Sequence, residues 1–189
     1  MDVEGLLKNT WYVFRDNFVA FVVGSIVAVI GSILIVTIAP LFYGLTYMAL
    51  KGVKGEKVEI NDVFEGFHHF AKSWIFAIIA GVLIFIGYMA FVIPGVILSI
   101  LLVYALPLLV IKDYNSIDAI RESISFSREN LADTLVIFVV GTFINFVGGA
   151  ITFGFIFSLP FATILYTKAA NSIVKERQLP TTKVVGLSG

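Results

Sequence analysis

His68 and His69 are the only histidines in a chain of 189 residues, and Glu65 stands three positions before His68. Glu-x-x-His puts two ligand-type groups on one helical face, the spacing used in carboxylate-bridged di-metal sites. Such a site needs a second set of the same kind, and the sequence has none, so the spacing predicts a solvated or headgroup-facing pair rather than a metal centre. With no cysteine there is no disulfide framework, thiolate metal site or cysteine nucleophile. No Gly-rich loop followed by Lys-Ser or Lys-Thr, no serine elbow and no His-Glu-x-x-His occurs either.

Polar chemistry inside the apolar parts centres on Asn145, with Tyr47, Tyr104 and Tyr166. Gly24, Ala28, Gly31 and Ser32 make one smooth helical face, and Gly141, Asn145, Gly148, Gly149 and Thr152 make a similar one. Small side chains let helix backbones approach closely, and an amide can bond across such a contact at roughly 0.6 to 2 kcal/mol. The same residues would also suit a narrow polar pathway, and both readings stay open. Asp, Glu, Lys, Arg and His are absent from these parts. Proton relays, ion-coupled transport and hydrolysis usually place ionisable groups there, at about 2.5 to 3.5 kcal/mol each. The expectation is a protein that is not an enzyme and needs no cofactor.

The elements that must position these residues follow from composition. Hydrophobic residues make up 59% of the chain, charged residues 14%, and mean hydropathy is +0.98. A water-soluble core of this size could not enclose so many apolar side chains. Zero net charge argues against a nucleic-acid partner. Three stretches carry no charge: Asn17 to Leu50, Ser73 to Ile111 and Thr134 to Thr167. Each exceeds the roughly 20 residues needed to cross a bilayer once and suits crossing twice with short helices.

Pro94-Gly95 lies near the middle of the second stretch. Proline lacks the N–H a helix interior needs, and an unpaired backbone group in hydrocarbon costs several kcal/mol, so the pair predicts a hairpin turn; a kinked single helix is the alternative. Pro40 and the region from Gly148-Gly149 to Gly154 mark the other two reversals. All lysines and arginines then fall on one side, which the positive-inside rule makes cytoplasmic. This yields an all-α polytopic protein of the cell membrane, with three hairpins, about six spans and both termini cytoplasmic. Arms of about 15 residues reach only about 22 Å, against roughly 30 Å of hydrocarbon, so re-entrant wedges are the rival topology.

An amphipathic stretch precedes each hairpin. Val3, Leu6, Leu7, Trp11, Phe14 and Phe18 share one face; so do Val63, Phe64, Phe67, Phe70 and Trp74; and, less cleanly, Ile117, Ile120, Ile124 and Leu131. Asp62 to Glu65 and Asn115 to Asp118 are spaced as capping boxes. These helices are expected in the cytoplasmic interface, apolar face down, with Trp11, Phe64, Phe67, Phe70 and Trp74 as interfacial aromatics. Phe21-Val22-Val23-Gly24 recurs as Phe138-Val139-Val140-Gly141, and Gly31 meets Gly148 at the same offset, which suggests an internal repeat of up to three units within a single domain over 1–177. Residues 178–189 read as a short flexible tail. The acidic start of the chain argues against a cleaved signal.

Pro40-Leu41-Phe42-Tyr43-Gly44, Asp62-Val63-Phe64-Glu65-Gly66-Phe67, Pro94-Gly95, and Ser116-Ile117-Asp118-Ala119-Ile120 with Ser123 and Asn130 resemble the membrane domain attached to some bacterial glycerophosphodiester phosphodiesterases and its stand-alone relatives. The resemblance covers roughly residues 10 to 175 and implies a multi-helix integral membrane domain; no phosphodiesterase residue carries over. The expected function is a membrane scaffold or accessory subunit that organises lipid or a partner protein, with membrane lipids and a membrane protein or a second copy as partners. A transporter or pore for a small neutral or lipidic solute is the alternative.

Overall fold

Helix formation follows the uncharged stretches but does not stop at their edges. The computed structural model describes residues 3–31, 35–150 and 154–178, and the regular elements among them are all helical. Helix α1 (Val3–Asp16) and α2 (Phe18–Gly31) are bent by 85° at Asn17. A 3-10 turn (Ile35–Thr37) leads into α3 (Ile38–Lys54), which ends on Gly55 at φ 77°. Only glycine adopts that left-handed conformation without strain. A second 3-10 segment (Ile60–Phe64) and the single turn α4 (Glu65–His68) precede the long α5 (Phe70–Ala90). Then come α6 (Val92–Leu101), α7 (Ala105–Ile111), α8 (Ser116–Glu129), α9 (Leu131–Ala150) and α10 (Phe155–Gln178).

Four segments are long and apolar enough to cross a membrane: Ile35–Lys54, Phe70–Ala90, Val92–Ile111 and Leu131–Ala150; the bent α1–α2 pair is a fifth if taken as one. They run to 20 or 21 residues, about 30 Å. Uniformly short arms are therefore not what forms. Helices begin before the charge-free stretches do, α5 before Lys72 and α9 before Asp133, because helical hydrogen bonding continues through solvated charges. Helix α10 has the length but not the apolarity, since Ser158, Pro160, Thr163, Tyr166, Lys168 and Asn171 dilute it.

The reversal between α5 and α6 falls at Phe91, whose backbone is extended (φ −170°, ψ 161°). Pro94 sits in the first turn of α6, where its missing N–H would have no helical partner anyway. The two helices pack on each other through Gly87, where a Cβ would lie 3.0 Å from the Gly95 Cα. Pro40 stands near the first reversal in the same way, since α2 and α3 pack back on each other with Gly24 against Met48 and Gly31 against Leu41. Pro40 is buried in the first turn of α3, beyond the 3-10 turn, for the same first-turn reason. Ser32 and Thr152 lie outside the described residues, as does the tail beyond Gln178.

The glycines of the two similar stretches each meet a neighbouring helix. Gly24 and Gly31 of α2 face Met48 and Leu41 of α3, and Gly141 and Gly148 of α9 face Tyr166 and Ser158 of α10. Leu41 and Ser158 stand at the same sequence offset as the glycines they meet. Ala28 is buried in the α2–α3 core with Phe21, Leu45 and Met48. Gly149 faces open space.

The amphipathic stretches turn part of their apolar faces inward. On α1, Leu6 packs beside Leu165, Ala169 and Ile173 of α10, and Phe14 lies 6.0 Å from the Phe161 ring, while Trp11 is exposed. On α8, Ile120 and Phe126 are buried whereas Ile117 is exposed. The 60–68 segment descends alongside α3: Asp62 meets Lys51, Val63 meets Gly44, and Gly66 meets Pro40. Phe64, Phe67 and Phe70 point outward, and Trp74 donates its Nε1–H to the Val36 carbonyl at 2.9 Å.

Candidate functional site

Two concavities involve α9 and α10. The smaller, about 240 Å³, lies between α3, α7, α9 and α10. Thr46 and Thr163, which stand at the same sequence offset as Gly24 and Gly141, both contribute to it, and each spends its hydroxyl proton on the carbonyl four residues back, Phe42 and Leu159, at 2.9 Å. Asn145 stands exposed on α9 beside it, donating to the Gly141 carbonyl at 3.1 Å. Donors used within their own helices leave oxygen lone pairs toward the cavity. Tyr166 completes the wall by lying over Gly141, where any Cβ would overlap its ring and hydroxyl.

Of the four polar residues singled out from sequence, the fold thus brings Asn145 and Tyr166 together. Tyr104 is fully buried in the cluster against which Tyr166 packs, with its hydroxyl 3.3 Å from Thr134 Oγ1, and Tyr47 packs beside Tyr43 and Leu50. Gly24, Gly31, Gly141 and Gly148 serve helix contacts. Proline was the missed signal. Pro107, which lines the cavity, cannot offer an N–H to Val103, and the α6–α7 helix breaks over Leu102–Tyr104.

The larger concavity is an apolar groove of about 670 Å³ along α1, α9 and α10. Trp11, Phe14, Val147, Phe157 and Phe161 form its sides, and Gly148 and Gly154 keep its floor open. Ser158, 6% exposed, contributes a buried hydroxyl with no hydrogen-bond partner among the described residues. That oxygen is shut off beneath the floor against Gly148, so the surface the groove offers is apolar.

Charged side chains form structural pairs. Lys51 Nζ binds both Asp62 oxygens at 2.8 and 2.9 Å, largely shielded from solvent. Lys112 contacts Glu122 at 2.9 Å, and Arg177 reaches Glu122 and Glu129 while lying 3.9 Å over the Phe126 ring. Burial raises the Glu122 pKa, but hydrogen bonds from Tyr114 and Lys112 and the nearby charges of Lys112 and Arg177 outweigh it and hold the group below the usual carboxylate value. His68 is 3.5 Å from Glu65, and His69 stacks on Tyr43. Among the described residues no cluster could hold a metal ion.

These features define an all-helical protein with several helices of membrane-crossing length and apolarity. The chain belongs to the family described as Domain of unknown function (DUF7847), whose model matches residues 7–189. No curated protein and no solved structure matches it.

Proposed function

We propose that the protein is a non-catalytic, multi-pass integral membrane protein that organises lipid, holding an acyl chain in the groove along α1, α9 and α10. Its hairpins cross the cell membrane with both termini cytoplasmic. The observation that carries this reading is the groove itself, apolar along its length. The outward faces of α5 and α9 support it: Ile78, Phe85, Met89, Val139, Phe143 and Phe146 are exposed, far more apolar surface than a water-soluble monomer presents. A partner membrane protein or second copy would sit on these faces.

The chain has two tryptophans, so Trp74→Phe leaves Trp11 as the sole reporter at the groove. In vesicles of acyl-brominated phosphatidylcholine, Trp11 fluorescence is quenched, and the quenching persists after dilution into unbrominated lipid. Recovery at the rate of free lipid exchange would sink the reading.

The cavity beside Asn145 favours a second reading, a transporter or pore for a small neutral or lipidic solute. It predicts solute flux in proteoliposomes that falls with Asn145→Leu; flux indifferent to that change would remove Asn145 from the path.

A further inference from the structure

Lys51 and Lys168, one on α3 and one on α10, stand at the same sequence offset as the glycine contacts. Their surroundings differ in one respect. Lys51 is held by Asp62, which the chain supplies from the segment after α3. The stretch from Gln178 to Gly189 contains no Asp or Glu. Lys168 is half-buried and has no ion-pair partner among the described residues. Burial, and then the charge of Lys175, push its pKa down, as expected for a cation lacking its counterion.

A cleft of about 640 Å³ opens over Lys168, between α1, the end of α3 and α10. Lys54 and Lys57 also line it, and Asn9, Tyr12 and Asn17 add polar groups. Two acids are present. Asp16 is occupied by Arg15 at 3.1 Å, while Glu56 is exposed; Lys57 is paired with Glu59 at 3.0 Å, which leaves Lys54 and Lys168 as the cleft's cations without an ion pair among the described residues. The cleft far exceeds the space a single carboxylate would fill. Compact ammonium groups supplemented by amide and phenol donors suit a tetrahedral phosphate.

We propose that this cleft binds a phosphate group, with Lys168 and Lys54 as its cations and Asn9 as a hydrogen-bond donor, the bound anion taking the place that Asp62 fills beside Lys51. The phosphate comes either from an anionic lipid headgroup or from a free phosphate ester. The site lies on the other flank of α1 from the acyl groove, since residues 9, 12 and 16 share one helical face and 11 and 14 another. It therefore stands or falls separately from the lipid-groove reading.

The test is native mass spectrometry of the full chain in neutral detergent, titrated with dioleoylphosphatidic acid and, separately, dioleoylphosphatidylcholine. The wild type retains the phosphatidic acid preferentially. Lys168→Gln weakens that retention about fivefold, the effect of one lysine near an anionic headgroup. Lys168→Arg restores it. Asn9→Asp supplies an internal carboxylate, abolishes retention and raises the melting temperature, a gain in stability that a merely misfolded variant could not show. Arg121→Gln, which removes a cation on the α5–α8 side, leaves retention unchanged. Competition by millimolar inorganic phosphate assigns the free anion as sufficient ligand; lysine-dependent retention without competition assigns the lipid headgroup. Equal retention of the two lipids, or retention unaltered by both Lys168→Gln and Asn9→Asp, overturns the proposal.

Discussion

Gly66 packs directly against the backbone carbonyl of Pro40, and the relation is reciprocated one turn along, where Gly44 packs against the carbonyl of Val63. A Cβ at either glycine would overlap a backbone oxygen, which cannot swing aside as a side-chain tip can. Gly44→Ala and Gly66→Ala should each destabilise the fold by about 3 kcal/mol, the upper end of overpacking costs. Gly81→Ala is the control, because nothing lies within 4 Å of its missing Cβ and helix propensity alone favours alanine there by up to about 1 kcal/mol. Melting temperatures in detergent should fall for the first two and rise for the third. A Gly66→Ala protein as stable as wild type would mean that the 60–68 segment does not lie along α3.

That same segment is fixed at its upper end by Lys51 and Asp62, whose side chains are only 19% and 14% exposed. Breaking such a pair strands a charge, while replacing both partners with apolar groups removes the desolvation cost together with the attraction. Asp62→Leu alone should cost about 2 kcal/mol, less than a fully buried pair because some solvent reaches it. Lys51→Met combined with Asp62→Leu should recover most of the loss. A double-mutant cycle by chemical denaturation reads the difference, and additive single effects would contradict the pairing.

The sequence made the helices and two of their internal marks legible. Uncharged length locates α2, α3, α5, α6, α7 and α9, and Pro94 falls within one turn of the real break at Phe91. The Asn115–Asp118 spacing forms the expected cap, Asn115 Oδ1 accepting from the Asp118 N–H at 2.9 Å. The other cap is displaced. Glu59 and Asp62 make the reciprocal pair, so Asp62 is the third residue of a 3-10 segment and not the start of a helix. Periodicity gave no warning that Leu6, Phe14, Val63 and Ile120 would face protein instead of lipid, because both environments reward the same apolar side chain. Within the candidate site, Asn145 was visible as a lone amide in an apolar stretch. The groove was not, since its sides come from three helices and its floor depends on Gly148 and Gly154 being small where they meet.

Glu122 ties α8 to Lys112 and Arg177, so acid should loosen that corner. Because its folded pKa lies below the unfolded value of about 4.3, the stabilisation is complete above that value and is lost as pH falls through the folded one. Asp113, held down by the hydrogen bond from Lys72, contributes in the same sense from an exposed position and hence more weakly. Melting temperature measured from pH 7 to pH 3 should drop below about pH 4.5 in the wild type, and Glu122→Gln should flatten that limb. An unchanged acid limb in the variant would place the sensitive group elsewhere.

The helix break above Pro107 leaves carbonyls that need donors, and α8 supplies them. Ser123 Oγ donates to the Leu101 carbonyl at 2.7 Å, and Ser127 Oγ, one turn on, reaches the same oxygen at 3.2 Å. Ser123→Ala should cost about 1 to 3 kcal/mol, the penalty for an unsatisfied buried acceptor, moderated by Ser127. Ser123→Ala with Ser127→Ala should cost more than the sum of the singles. If the paired change is no worse than either single one by thermal denaturation, the serines are not capping Leu101.

Sidedness can be read directly, because the chain has no native cysteine. The best positions are not the most obvious ones. A side chain at Gly95 would overlap the Tyr88 ring, and Ser116 is buried, whereas Ile93 at the α5–α6 turn and Lys57 in the charged loop are both well exposed. Helix α5 is about 31 Å long, enough to carry the α5–α6 turn the full hydrocarbon thickness away from Phe70, where the helix begins. In oriented cells, a membrane-impermeant maleimide applied from outside should label Ile93→Cys and spare Lys57→Cys until the membrane is opened. His68→Cys, whose side chain is exposed on the segment that descends along α3, should behave like Lys57→Cys if every formal charge lies on one side. Labelling of position 68 from outside would show that the descent carries Glu65 and His68 across the bilayer, and it would replace the one-sided charge distribution with a two-sided one.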